Sequence, residues 1–161
     1  MMVSMESGWS EVLLDLLNTT PVVDGAPTDT LDGAWLRAHG AGGRRVHDVR
    51  ALRDDLQRVV RGEAAGAVLG THLRGVTQTP EIVDDVVTWR LDADWAARMV
   101  LAWGDLQSAM PGRLRPCANG ECHLFLLDRS RGGTGRWCSM SSCGNRMKAR
   151  RHYGRTAGAA T

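Results

Sequence analysis

The chain is poor in several residue types. Among its 161 residues there is one lysine, one tyrosine and one phenylalanine, and all four cysteines fall between positions 117 and 143. No uninterrupted apolar run approaches the roughly 20 residues that a bilayer-spanning helix needs, which argues against a membrane protein. The opening stretch MMVSMESGWSEVLLDLL carries Glu6, Glu11 and Asp15 and no basic residue. A secretory signal needs a basic start and a longer apolar segment, so a cytoplasmic location is expected. The chain also lacks a Walker loop, a nucleophile elbow and paired histidines on one helix. With no nucleophile–base pair in view, an enzyme is the least expected class. No internal repeat is present.

What remains is ordinary for a globular protein, with 43% hydrophobic and 24% charged residues. The length suits one domain, or a small domain with a metal-stapled appendage. Charge is unevenly spread. Residues 1–112 hold ten arginines against sixteen Asp or Glu, a balance of −6. Residues 113–161 hold nine arginines and Lys148 against Glu121 and Asp128, a balance of +8. A basic tail on an acidic body suggests a polyanion partner; mutual attraction of the two halves is the plainer alternative.

Glu11–Asn18 and Leu31–His39 read as short helices, the second capped by Thr30 and stopped by Gly40, with a Pro- and Gly-rich loop over residues 21–29. Val46, Val49, Leu52, Leu56, Val59 and Val60 recur at helical spacing and predict a helix from Val46 to Arg61. Ala64–Leu73 reads as a further helix, ended by Gln78-Thr79-Pro80. Val86, Val87, Trp89 and Leu91 predict an extended segment. Trp95, Met99, Trp103, Leu106 and Met110 mark the core face of a helix over residues 92–108, broken by Pro111-Gly112. His39, His47 and His72 stand alone and read as surface or capping residues. The expected fold class is α+β. A mostly helical domain with a small strand component covers 1–112, a small four-cysteine module 113–155, and a frayed tail 156–161.

Cys117, Cys122, Cys138 and Cys143 form C-x4-C, fifteen residues, then C-x4-C. In a reducing compartment such a set serves as metal ligands rather than disulfides. Two short pairs on two turns close the tetrahedron that Zn2+ prefers, so a structural zinc is expected. An iron–sulfur cluster and a redox switch are weaker readings of the same four residues. A catalytic zinc would keep a position open, and here all four ligands are assigned. His123, directly after Cys122, is read as a non-ligand. Between the pairs a hairpin is expected, with an apolar strand over residues 123–127 and a turn at Gly132-Gly133-Thr134-Gly135. That glycine run lacks the lysine of a phosphate-binding loop.

Nothing breaks the chain between Cys143 and Gly154, so a basic C-terminal helix is expected. Helical spacing turns Met140, Cys143 and Met147 inward. Asn145, Lys148, Arg151, His152 and Arg155 fall on the opposite arc, the expected DNA-binding face. Arg146 and Arg150 lie nearer the inner edge, placed to reach flanking phosphates or to donate to the thiolates. Arg and Lys neutralise phosphates, and Arg and Asn can read base edges in the major groove. Double-stranded DNA is the expected partner. The alternatives are a zinc-scaffolded protein-interaction module and, less so, RNA, since Tyr153 is the helix's one stacking aromatic.

The stretch RLRPCANGECHLFLLDRSRGGTGRWCSMSSCGNRMKARRHYGR resembles the CGNR zinc finger. Cys143-Gly144-Asn145-Arg146 spells that name, and Arg136 to Met140 and the Lys-Ala-Arg-Arg-His run match as well. In that family a domain called ABATE usually precedes the finger. Leu14 to Thr19 resembles its opening motif, and Leu52–Leu56 and Trp89–Trp103 resemble later parts. The resemblance implies a bacterial, stress-related transcription regulator. Its finger would bind DNA, and its N-terminal part would sense an effector or associate with a protein partner. Nineteen arginines beside one lysine suit a GC-rich bacterial genome. One short finger offers little contact area, so a homodimer would help specificity, although no heptad seam declares itself.

Overall fold

The computed structural model describes residues 8–150. Leu13, Leu16 and Leu17 recur on one side of helix α1 (Gly8–Leu17), and all three are fully buried. Helix α2 (Gly33–Ala38) adds Leu36. Helix α3 (Val46–Val60) turns Val49, Leu52 and Leu56 inward, and α4 (Trp95–Ala109) turns Trp95, Met99, Val100 and Leu106 inward. α1 packs against both α3 and α4, which makes it the centre of the helical layer. Trp103 and Met110 lie half-buried at the margin of the same core, so the tryptophan and methionine stripe is packing.

A 3-10 segment, Gly66–Leu73, stands where a further helix was expected, and it inserts Leu69 between α3 and α4. Gly66 sits so close to Trp103 that a Cβ there would lie 2.9 Å from the indole ring. Asp32, not Thr30, caps α2, accepting the Trp35 amide at 2.8 Å. Thr30 instead donates its hydroxyl to the Thr19 carbonyl. His39 closes α2, stacked on Trp35 and hydrogen-bonded to its carbonyl at 2.8 Å, which is the capping role expected.

The strands form three two-stranded antiparallel sheets: β1 (Val22–Val23) with β2 (Ala26–Pro27), β3 (Thr77–Val83) with β4 (Val86–Asp92), and β5 (Leu114–Pro116) with β6 (Phe125–Leu127). The Gln78-Thr79-Pro80 stop lies inside β3, with Pro80 opposite Trp89. Proline is tolerated there because β3 has a free edge toward which its nitrogen can face. The two strands join through Asp84-Asp85, both at positive φ, a tight turn that aspartate tolerates. β5 and β6 belong to the body: Leu114 and Phe125 lie in one buried cluster with α1, α3 and α4.

Polar groups also enter this core. Arg53, a charged residue between the apolar positions of α3, is 4% exposed. Its guanidinium donates to both Asp29 oxygens, at 2.8 and 3.1 Å, and to the Thr19 hydroxyl. Arg50 adds a second charge at 2.8 Å from Asp29. Burial alone would raise the Asp29 carboxyl; the bonds from Arg53 and the Leu31 amide, with the charges of Arg53 and Arg50, outweigh it and hold it below the usual carboxylate value. A carboxyl so held stabilises the fold above its unfolded value near about 3.9, and that contribution fades as pH falls through the lower folded value. Asp29 is itself partly exposed, so solvent screening tempers the pair, and Asp29→Asn is expected to cost about 1–2 kcal/mol at pH 7. In urea melts at decreasing pH the gap between variant and parent should stay open through the ordinary carboxylate range and close only as pH falls through the lowered folded value. A constant gap between them would show that the charge of Asp29 is not what stabilises.

Candidate metal centre

The first cysteine pair sits on the loop between β5 and β6. Cys117 follows directly on β5 and donates its amide to the Leu124 carbonyl at 2.9 Å, which narrows the loop neck. The Cys122 amide donates to the Asn119 carbonyl at 2.8 Å and folds the tip back. The second pair comes in from the far side. Ala118 donates to the Arg136 carbonyl at 2.8 Å, and the Cys138 amide points at Cys117 Sγ at 3.4 Å. Ser139 then caps a wide turn, Met140–Gly144, in which the Gly144 amide reaches the Ser139 carbonyl at 3.0 Å. That wider turn brings Cys143 in, 4% exposed, before the chain continues as a helix over 145–150. A Cβ on Gly144 would meet the Met140 sulfur at 2.9 Å and Trp137 at 3.3 Å, so glycine is required for this close approach.

All four sulfurs lie within 4.8 Å of one another. Cys122–Cys138 and Cys138–Cys143 are each separated by 3.7 Å. A disulfide needs about 2.05 Å. A tetrahedron of thiolates about 2.3 Å from Zn2+ has edges of about 3.8 Å, so the donor set fits zinc both in chemistry and in spacing. Burial, with the neighbouring sulfurs, pushes the Cys138 thiol up, and burial pushes Cys122 up as well. A dication would reverse that cost by binding the thiolates. Asn119, 1% exposed, donates from Nδ2 to Cys143 Sγ at 3.5 Å. Such a bond orients a metal-bound thiolate and offsets its charge. Sequence reading missed Asn119; its one signal was an amide residue in the turn between two ligand cysteines. His123 lies outside the sulfur cluster, and its carbonyl accepts from Arg61 at 3.3 Å.

The expected hairpin between the cysteine pairs is different in the structure. β6 pairs upstream with β5, and among the described residues no strand follows Gly135. Asp128 explains the change. It is 4% exposed and accepts the Ser130 and Gly135 amides, both at 2.9 Å, and the Arg115 guanidinium. Bonds from Ser130, then the Gly135 amide and the Arg115 charge, hold its carboxyl below the usual value against the opposing effect of burial. Glycine is needed at 135, where a Cβ would stand 2.8 Å from Asp128 Oδ1. The segment is thus a loop wound around one carboxylate rather than a strand pair.

Asn145, Arg146, Lys148 and Arg150 are exposed on the helix, and Met147 is half-buried as the helical spacing anticipated, but Met140, expected inward, is 55% exposed because it opens the wide turn before the helix. Asn145 donates back to the Ser141 carbonyl at 3.3 Å. Arg150, expected near phosphates or thiolates, reaches the Glu121 carboxylate instead, at 2.6 and 2.7 Å. Arg151, His152 and Arg155 lie outside the described residues. Arg136 is an addition: it is exposed, and its guanidinium lies 5.2 Å from the Trp137 ring, which itself abuts Gly144 at the helix start.

Residues 113–156 match the family described as CGNR zinc finger. No curated protein matches the chain. The match and the four-sulfur cluster together support a zinc-binding module at this end of the protein. The purified chain is expected to carry one zinc by elemental analysis, and Cys143→Ser to lose it. Because Phe125 shares the helical core, chelation should lower the melting temperature of the whole chain by about 10 °C or more in calorimetry. An unchanged transition after complete zinc removal would mean that the metal does not hold the fold.

Proposed function

We propose that the chain is a zinc-dependent transcription regulator whose terminal helix binds double-stranded DNA. The observation that carries this reading is the helix over 145–150, fixed directly behind Cys143 and presenting Asn145, Arg146 and Lys148 to solvent. Arg151, His152 and Arg155 extend the same face in sequence. The excess of +8 over residues 113–161 supports a polyanion partner, and the acidic body keeps nucleic acid on that end. In this reading zinc supplies folding energy and rigidity, and the side chains of the helix make the contacts. The N-terminal part is read as an ABATE-like unit that receives an effector or a protein partner. Support comes from its opening motif: Asn18 of Leu14–Thr19 bonds the backbone of Phe125, a route from that unit into the finger. A cytoplasmic, nucleoid-associated location follows from the same reading.

Fluorescence anisotropy with mixed duplex DNA across a salt series tests it. Zinc-loaded protein should bind with a steep salt dependence, and chelator should abolish binding. Lys148→Ala should weaken binding and reduce the salt slope by about one, with zinc content unchanged. Absence of binding at low salt by folded, zinc-loaded protein would reject the DNA reading and favour a protein-interaction scaffold.

The ion pair at Arg150 gives a second test with the opposite sign. The pair is exposed, so it contributes little to stability. Glu121, however, occupies Arg150 and sets a negative charge near Arg146. Glu121→Gln is therefore expected to raise DNA affinity roughly threefold or more and to steepen the salt slope. Weaker binding by this variant would remove Arg150 from the proposed contact surface.

A further inference from the structure

The β3–β4 hairpin stands apart from the core. Seven large hydrophobic residues are exposed among the described residues, and five of them lie on this hairpin. Its strands make their extensive contacts only with each other. The register sorts its side chains. Gln78 faces Leu91, Pro80 faces Trp89, and Ile82 faces Val87, so period two places these six on one face. Thr79, Glu81, Thr88 and Arg90 fall on the other, where Glu81 and Arg90 pair. One face therefore carries no charge, with Ile82 at 76%, Val87 at 56% and Trp89 at 49% exposure. A lone two-stranded hairpin with a bare apolar face is at best marginally stable in water, so a surface must cover it.

We infer that a second copy of this chain covers it, the two hairpins packing face to face about a two-fold axis. Three features select that occupant and that geometry. Pro80 removes the middle amide donor from the outer edge of β3, which disfavours adding a strand along that edge. The apolar strip is uncharged, so two copies meet there without opposing like charges. The acidic body, at −6 over residues 1–112, would repel its own copy at most other contacts. The apolar side chains of this face expose roughly 400 Å² per copy, since Val83 and Val86 at the tip fall on the opposite face with Glu81 and Thr88. Two copies would bury about 800 Å², below the usual size of a stable specific interface. The dimer is therefore weak and concentration-dependent. This inference does not rest on DNA binding.

Sedimentation velocity on the zinc-loaded full-length chain, over a concentration series, decides it. The mass should rise from monomer toward dimer. Ile82→Lys should raise the dissociation constant about tenfold or more, whereas Thr88→Lys, the same charge change on the polar face, should leave it near the parent value. Both positions are exposed, and circular dichroism should show both variants folded. A parent chain that stays monomeric at every concentration overturns the inference, whatever other protein it captures. So does a dimer that Ile82→Lys fails to weaken, because its contact would lie elsewhere.

Discussion

Asn18, just past the end of α1, clamps the backbone of Phe125. Its Nδ2 donates to the Phe125 carbonyl at 3.3 Å, and its Oδ1 accepts the Phe125 amide at 2.7 Å. The cysteine-bearing loop hangs from this clamp. Phe125 is 1% exposed within the helical core, so β6 is fixed from both its backbone and its side chain. Arg61 lies over the Phe125 ring at 4.7 Å and donates to the His123 carbonyl, and Arg129 pairs with Glu11 on α1. The loop between β5 and β6 thus leaves the body at a fixed place and angle. Cys117 and Cys122 therefore stand on a loop whose two strands pack on the helical layer, β6 against α1 and β5 against α3.

Two carboxylates, Asp128 buried and Asp29 at the surface over the buried Arg53, do for the loops what ladders do for strands. Asp29 collects Arg53, Arg50 and the Leu31 amide; Asp128 collects Arg115 and the Ser130 and Gly135 amides. Each satisfies the backbone donors of a segment that has little regular structure of its own. This arrangement also consumes basic residues. Arg113 and Arg115 turn inward onto Asp128, and Arg129 and Arg150 are engaged in exposed pairs. The local excess of positive charge is therefore partly structural. Among the described residues of the terminal helix, Arg146 and Lys148 are the exposed cations outside any ion pair. A count of arginines overstates the charge available to a ligand.

Periodicity made α3 and α4 readable, because fifteen residues of each give several turns of apolar repeat. The four cysteines were readable because metal ligands have few substitutes and tight spacing. Long-range polar contacts were not. Arg53 and Asp29 are separated by 24 positions, and Arg150 and Glu121 by 29, so no local pattern announces either pair. Pro80 misled for a physical reason: it does end helices and does interrupt ladders, but an edge position tolerates it. The glycine run at 132–135 carried the composition of a hairpin turn. The strand expected to follow was displaced when Asp128 drew the Gly135 amide inward and β5 supplied the partner for β6.

The proposed DNA contact and the proposed dimer face place different demands on one electrostatic field. The acidic excess of the body opposes DNA approach everywhere except at the finger, so attraction and repulsion together orient the encounter before any contact forms. Both act within a Debye length of about 8–10 Å at ordinary salt, which confines the effect to the surface near the helix. A dimer through the uncharged hairpin strip leaves that field intact on each copy. It would present two basic helices without neutralising either, and the spacing of two half-sites would then follow from the hairpin geometry rather than from the finger. The apolar strip would set separation, and the basic helix would set affinity. Substitutions at Ile82 and at Lys148 would then separate the two effects, since one changes only how many helices meet the duplex and the other how strongly each one holds.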